Sequence, residues 1–335
     1  GGRVAAMAST VSHELIFLGT GVSTALPRLS CIMQRDDSPC AVCDRAHSDP
    51  LDPNCRSNVS VLVRRTETRQ VEGMPEVSSR CLMIDAGKTM RDAALRWFPK
   101  HGVKSVDAVL VTHGHADAVG GMDELREFTS FIKEKGADRS KPKDRVALVK
   151  KGFFGLSKEL PVYLNQETFE VCKGAYPYLV PKLKNDKVPR RVATVRWEVI
   201  DNAAPFEVLG MEILPLPVHH GGTYVCLGFS FGNGSFVYLS DVSEVQPHIL
   251  ETLKSFDIEL LVLDCLDRGT SPSHYCLPDS LALVRELRPR KTLLVGMSCE
   301  LGLHDDVNEE LGRLKGEEGI DVQLARDGQS VQLGF

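Results

Sequence analysis

The sequence lacks any apolar stretch near the roughly 18–20 uncharged residues that a membrane-spanning helix needs, which argues against a membrane protein built from such helices. Its opening, GGRVAAMASTVSHE, lacks the apolar core of about 7–15 residues that marks a secretory leader. No internal repeat stands out, so solenoids and propellers are not indicated. There is no basic excess either: 40 Lys and Arg face 45 Asp and Glu, a formal net charge of −5. That argues against a nucleic-acid partner bound by phosphate neutralisation alone. A small phosphorylated substrate stays open, because a bound metal would supply positive charge locally. Ten cysteines in 335 residues are too sparse for a disulfide scaffold. We read them as reduced thiols of a cytoplasmic protein, some of them metal ligands. What is present is ordinary: 42% hydrophobic and 25% charged residues, enough for a sizeable core.

Along the chain, residues 1–12 read as a flexible tail and 13–335 as the folded domain, with an exposed charged insertion at 133–159. His13–Thr20 and Val106–Thr112 read as strands, the second a continuous apolar run fit for burial on both faces. Residues 23–57 show no period and are expected to form a long irregular loop. Val59–Val63 and Cys81–Asp85 read as strands joined by a polar connection. Leu227–Phe231 and Phe236–Ser240 flank GNG, a hairpin signal. From 243 helices and strands alternate. Strand-rich blocks ending in βα alternation predict a layered α/β domain.

The strongest chemical signal is Thr112-His113-Gly114-His115-Ala116-Asp117, at the end of the apolar strand. A buried strand is a rigid base, and the loop after it can turn two imidazoles and a carboxylate to one point. Further ligands are expected where other strands run out. His219 and His220 follow MEILPLPV, and Asp241 follows FVYLS. His220 is preferred to His219 because Gly221 and Gly222 leave room for close approach. Asp85 ends the CLMID strand, either orienting a metal-binding imidazole or forming a simple turn. Arg56 and Arg126 are candidates for phosphate contacts or structural ion pairs. Cys40-Ala41-Val42-Cys43 is a weak signal alone, but Cys31 lies in the same loop, and a closed zinc site prefers thiolates. His47 is a substitute ligand. Cys55, Cys81, Cys172, Cys226, Cys265 and Cys276 read as small core residues.

THGHAD at 112–117, DAG at 85–87, HGG at 220–222 and YLSDVS at 238–243 resemble the metallo-β-lactamase superfamily. LGTGVSTALP at 18–27, CRSNVSVLV at 55–63, GGMDELR at 120–126 and PVYLNQETFE at 161–170 are similar to the branch that holds the phosphonate-pathway 5-phosphoribosyl 1,2-cyclic phosphate phosphodiesterase. The resemblance runs from residue 13 onward. It implies an αββα sandwich of two mixed sheets with outer helices. It implies a first metal on His113, His115, His220 and Asp241, and a second served by Asp117 and Asp241. It places His274, in SPSHYCLPDS, as general acid/base, and adds Cys299 as fourth ligand to Cys31, Cys40 and Cys43. The sequence departs from the dinuclear pattern at Ala118 and Gly296, where those members carry histidines.

The expected function is therefore metal-dependent hydrolysis, by hydroxide on the metal, of a small phosphorylated compound, cyclic or open. Zn2+ or Mn2+ is expected at the reactive site, with Asp117 and His274 taking part in catalysis, and Zn2+ at the cysteines. A thioester or lactone hydrolase and a non-catalytic metal-binding module are the alternatives. No membrane or nucleic-acid partner is expected, and a homodimer is allowed.

Overall fold

A computed structural model describes residues 9–34, 36–71, 74–129, 159–180 and 193–335. The first sheet contains β1 (Ser9–Gly19), β2 (Ser60–Val71), β3 (Met74–Ile84), β4 (Ala108–Leu110), β5 (Leu160–Leu164), β6 (Val195–Val199) and, from the far end of the chain, β14 (Ser330–Leu333). The second contains β7 (Phe206–Val208), β8 (Met211–His219), β9 (Val225–Phe231), β10 (Phe236–Leu239), β11 (Leu260–Asp264), β12 (Lys291–Val295) and β13 (Val322–Leu324). Their orders are β14-β1-β2-β3-β4-β5-β6 and β13-β12-β11-β10-β9-β8-β7. Both are mixed: β2–β3 and β8–β9 pair antiparallel, β3–β4 and β10–β11 parallel. The helices are α1 (Leu29–Met33), α2 (Ala41–Ser48), α3 (Met90–His101), α4 (Ala116–Val119), α5 (Arg126–Thr129), α6 (Gln166–Ala175), α7 (Pro247–Lys254), α8 (Leu277–Leu287) and α9 (His304–Glu317).

Side-chain alternation explains the layering. Leu82 and Ile84 of β3 join Leu15, Phe17, Val61 and Val63 in the core between the sheets, against Phe229, Phe231, Tyr238, Val262 and Val295. Cys81 and Met83 point the other way, into a layer with Met90, Ala93 and Trp97 of α3. The outer face of the second sheet is covered by Ile249 and Leu253 of α7, Leu283 and Val284 of α8, and Val307 and Leu311 of α9. This is the αββα sandwich. Among the described residues no helix is long and apolar enough to cross a membrane.

Three local expectations need correction. The connection at 64–80 is not a loop: β2 and β3 form one long hairpin, paired from Val61↔Ile84 to Val71↔Met74. Its outer part carries alternating polar residues that bury neither face, so no apolar period marks it. Ser9–Ser12 are strand rather than tail, held by pairing with Arg69, Thr68, Glu67 and Thr66. The segment 23–57 contains α1 and α2. Residues 1–8 and, apart from Glu159, the charged segment at 133–159 lie outside the described residues.

Arg56 is structural. It is 2% exposed, and its guanidinium donates to the Thr20 hydroxyl and the Ala325 carbonyl and lies 3.2 Å from Nδ1 of His304. Burial, and then the Arg56 charge, depress His304 from 6.5 to about 4. A depressed imidazole contributes stability above its unfolded value near 6.5, and that contribution is lost as the pH falls through about 4. The difference is worth about 3 kcal/mol. Urea midpoints should therefore drop more between pH 7 and pH 4 for the native chain than for His304→Gln; equal drops would refute this.

Candidate metal centre

The strands end on a common rim, and a backbone bond from Leu227 to the Thr112 carbonyl, 2.9 Å, ties the two sheets together there. His113 follows β4 and is 1% exposed. Asp85, beyond β3, accepts from the Thr112 amide (2.8 Å) and the Thr112 hydroxyl (2.9 Å). That hydroxyl lies 2.8 Å from His113 Nδ1. Because the hydroxyl gives its proton to Asp85, it accepts from His113 Nδ1–H. The Nε2 lone pair of His113 is then free, and this buried atom has no hydrogen-bond partner. Asp85 thus orients His113 through Thr112, the first of its two sequence readings. Burial raises the Asp85 carboxyl, opposed by its bonds to Thr112.

His220 follows β8. Its Nδ1 donates to the Ser273 carbonyl at 2.6 Å, because a carbonyl can only accept, and its Nε2 faces His115 Nδ1 at 3.2 Å. Ligand atoms of His113, His115 and His220 lie within 4.8 Å of one another, as do those of His220, Asp241 and His274. Three imidazoles converge here, and the buried His113 Nε2 among them has no hydrogen-bond partner, so the residues fit a divalent metal. Asp241, 6% exposed, follows β10. Its burial would raise its pKa, but the charges of His113, His220 and His274 lower it. Asp117 of α4 sits at the margin, its Oδ1 3.9 Å from His113 Nε2. Burial, and then Asp241, raise it.

His274 enters this cluster with its ring centroid 4.7 Å from that of His220. Its Nδ1 donates to Asp264 Oδ2 at 2.8 Å. Burial acts to lower the His274 pKa, but the Asp264 charge and hydrogen bond raise it overall. Asp264 itself, ending β11, is fully buried and raised by that burial. Its Oδ1 has no hydrogen-bond partner. A Cβ on Gly296 would stand 2.3 Å from that Oδ1, at a φ of +79°. An imidazole at 296 is therefore excluded unless Asp264 moves. With Ala118 buried in the apolar layer under α3, the residues do not fit a histidine-supported second metal.

Sequence reading missed Asp264 and Tyr224. Asp264 meets the same strand-end criterion that found Asp241. Tyr224 stacks on His115 at 4.8 Å and 11°, and its hydroxyl accepts from the Gly114 amide at 3.0 Å. Cys226, read as core, is buried as expected and also brings its Sγ within 3.8 Å of His113 Nδ1. His219 stays outside, bound to Glu244 at 2.8 Å. Arg126 turns to Asp123 rather than to the site.

A second cluster joins Cys31 and Cys40 with Cys43, on α2, and Cys299, beyond β12, their sulfurs within 4.8 Å of one another. Cys31 and Cys299 sulfurs are 3.9 Å apart, close to the edge of about 3.8 Å of a tetrahedron with zinc–sulfur bonds of about 2.3 Å. Burial pushes the Cys299 thiol up to about 11, a cost that a cation would remove. His47 is exposed and takes no place in it.

The family model for the metallo-beta-lactamase superfamily matches residues 76–280. An octanoyltransferase of Porphyromonas gingivalis is 25% identical over 293 residues, covering 87% of this chain and 47% of that protein; the chain thus spans about half the length of that curated relative. A solved diphosphatase of the PhnP family is 26% identical, with a TM-score of 0.67 over 96% of this chain and 98% of its own. Zn2+-bound PqqB from Methylobacterium extorquens, at 15% identity and a TM-score of 0.63 over 96% of this chain and 100% of its own, shares the fold.

Proposed function

Since the chain belongs to the metallo-β-lactamase superfamily, a fold of metal-dependent hydrolases, we propose that it is a phosphodiesterase acting on a small phosphorylated compound. The convergence of the His113, His115 and His220 lone pairs beside Asp241 carries this reading. The likeness to a PhnP-family diphosphatase over nearly the whole chain favours phosphorus over carbon as the centre attacked. Those four residues would hold Zn2+ or Mn2+, with Asp117 at its edge. When bound, such an ion supplies Lewis acidity and acidifies water. Zn2+ at the four cysteines would pin the 31–43 segment.

The protein's own groups supply the rest. Asp85 and the Ser273 carbonyl fix the His113 and His220 tautomers, so that each turns an unprotonated nitrogen inward. Asp264 holds His274 by Nδ1, leaving Nε2–H of the charged ring to protonate the departing alkoxide. His274→Gln should lower kcat by about 10²–10⁴-fold. The loss should be larger for an alkyl than for a p-nitrophenyl leaving group, with the metal content kept. Loss of an ion from this variant would make His274 a ligand instead.

The test is a substrate panel on metal-loaded protein. Hydrolysis of bis(p-nitrophenyl) phosphate with added Mn2+ is expected. Turnover of acyl thioesters or lactones without phosphodiester turnover would replace this reading by the thioester or lactone one. No turnover of any would leave a metal-binding module.

A further inference from the structure

The site is rich in acid. Asp85, Asp117, Asp241 and Asp264 gather around it, all but Asp117 nearly fully buried. A phosphodiester is itself an anion and must enter this field. Burial raises the Asp85, Asp117 and Asp264 carboxyls, which moderates that field, and Ala118 and Gly296 remove two ligands that would support a second cation. Arg126 is taken by Asp123, and Arg91 lies between Asp92 and Glu124 at 3.7 and 3.9 Å.

Lys88 differs. It follows Gly87, whose missing side chain lets the turn press on α4: a Cβ there would stand 1.8 Å from the Asp117 carbonyl oxygen. The Lys88 stem is laid over Gly120, where a Cβ would meet its Cγ at 2.7 Å. These two close approaches hold the Lys88 backbone and the base of its side chain against α4, the helix that carries Asp117. Its ammonium is exposed and donates to the Ser23 carbonyl at 2.7 Å. That carbonyl already accepts from Asn58 Nδ2 at 2.9 Å, so it does not depend on the lysine. Among the described residues no carboxylate lies within ion-pair distance of Lys88, and two of its three N–H donors are left over. Its charge still reaches Asp117, drawing that carboxyl down against burial and Asp241.

We propose that Lys88 binds a non-bridging phosphate oxygen of the substrate, supplying as a fixed side chain the positive charge that a second cation provides where histidines stand at 118 and 296. This rests on the phosphodiesterase reading for its substrate class. Lys88 is a specificity residue: an ammonium favours an anionic phosphoester over a neutral thioester or lactone.

Inorganic phosphate titrated calorimetrically into the Mn2+-loaded chain tests this without turnover. Phosphate should bind about tenfold more weakly to Lys88→Gln than to the native protein, and Lys88→Arg should recover most of the loss. In turnover, Lys88→Gln should raise KM for bis(p-nitrophenyl) phosphate by a similar factor with kcat changed less than about threefold. Equal phosphate affinity and KM in Lys88→Gln, or no phosphate binding by the native protein at millimolar concentration, would overturn the proposal. A native protein that binds phosphate through Lys88 yet leaves the diester intact would instead sink the phosphodiesterase reading and keep the anion site.

Discussion

Hydrolysis of bis(p-nitrophenyl) phosphate should fall by on the order of a thousandfold or more in His115→Ala, and one metal ion per chain should be lost with it. His115 suits this experiment because it is exposed and belongs to no hydrophobic cluster of the fold. His113 is less suitable. It is buried against Thr112 and Asp85, so its removal would also strand polar groups between the sheets. The thermal midpoint of His115→Ala should therefore stay near the native value while activity disappears. Elemental analysis of the native protein should give about two ions per chain, one at the imidazoles and one at the thiols. A His115→Ala protein that keeps both its activity and its full complement of metal would end the assignment of this centre.

The second large effect is on stability. Cys43→Ser should remove the ion at the thiols and lower the melting temperature by roughly ten degrees, since structural zinc is coupled to folding by several kcal/mol. The region has little else to order it. No residue of α1 is buried, and α2 buries only Val42, Cys43 and Ala46. The local apolar cluster is Leu26, Val42, Cys43 and Cys299, half of it the proposed ligands. A strong chelator should reproduce the effect in the native protein. Cys43→Ser with unchanged metal content and an unchanged melt would reduce the quartet to free thiols.

How much of this was legible follows from the kind of signal each residue leaves. Continuous apolar runs such as AVLV at 108–111 mark strands buried on both faces, and the histidine motif that follows one was readable without a structure. The paired glycines favoured His220 over His219; the structure turns His220 toward His115 and Ser273 and leaves His219 on Glu244. Asp264 was not singled out because a lone Asp after LLVL resembles any strand-end acid; only its 2.8 Å contact with His274 marks it out. The outer hairpin was missed because polar residues on both faces leave no period to detect. Its length is set by pairing, Thr66 with Ser79 and Thr68 with Val77, which composition does not report. Arg56 could not be placed by residue type, since burial beside His304 depends on α9, almost 250 positions later in the chain.

The thiol quartet spans the chain in a way that bears on synthesis. Three of its members are made early and the fourth, Cys299, about 256 positions after Cys43. At about 5–20 residues per second, a ribosome leaves the first three waiting roughly 13–50 seconds for their partner. The first strand waits longer still, since His13 pairs with Leu333. Residues 9–43 can thus reach their final arrangement only after Cys299 and Leu333 have been made, and any chain released before Cys299 would carry three unsatisfied thiols and an open sheet edge.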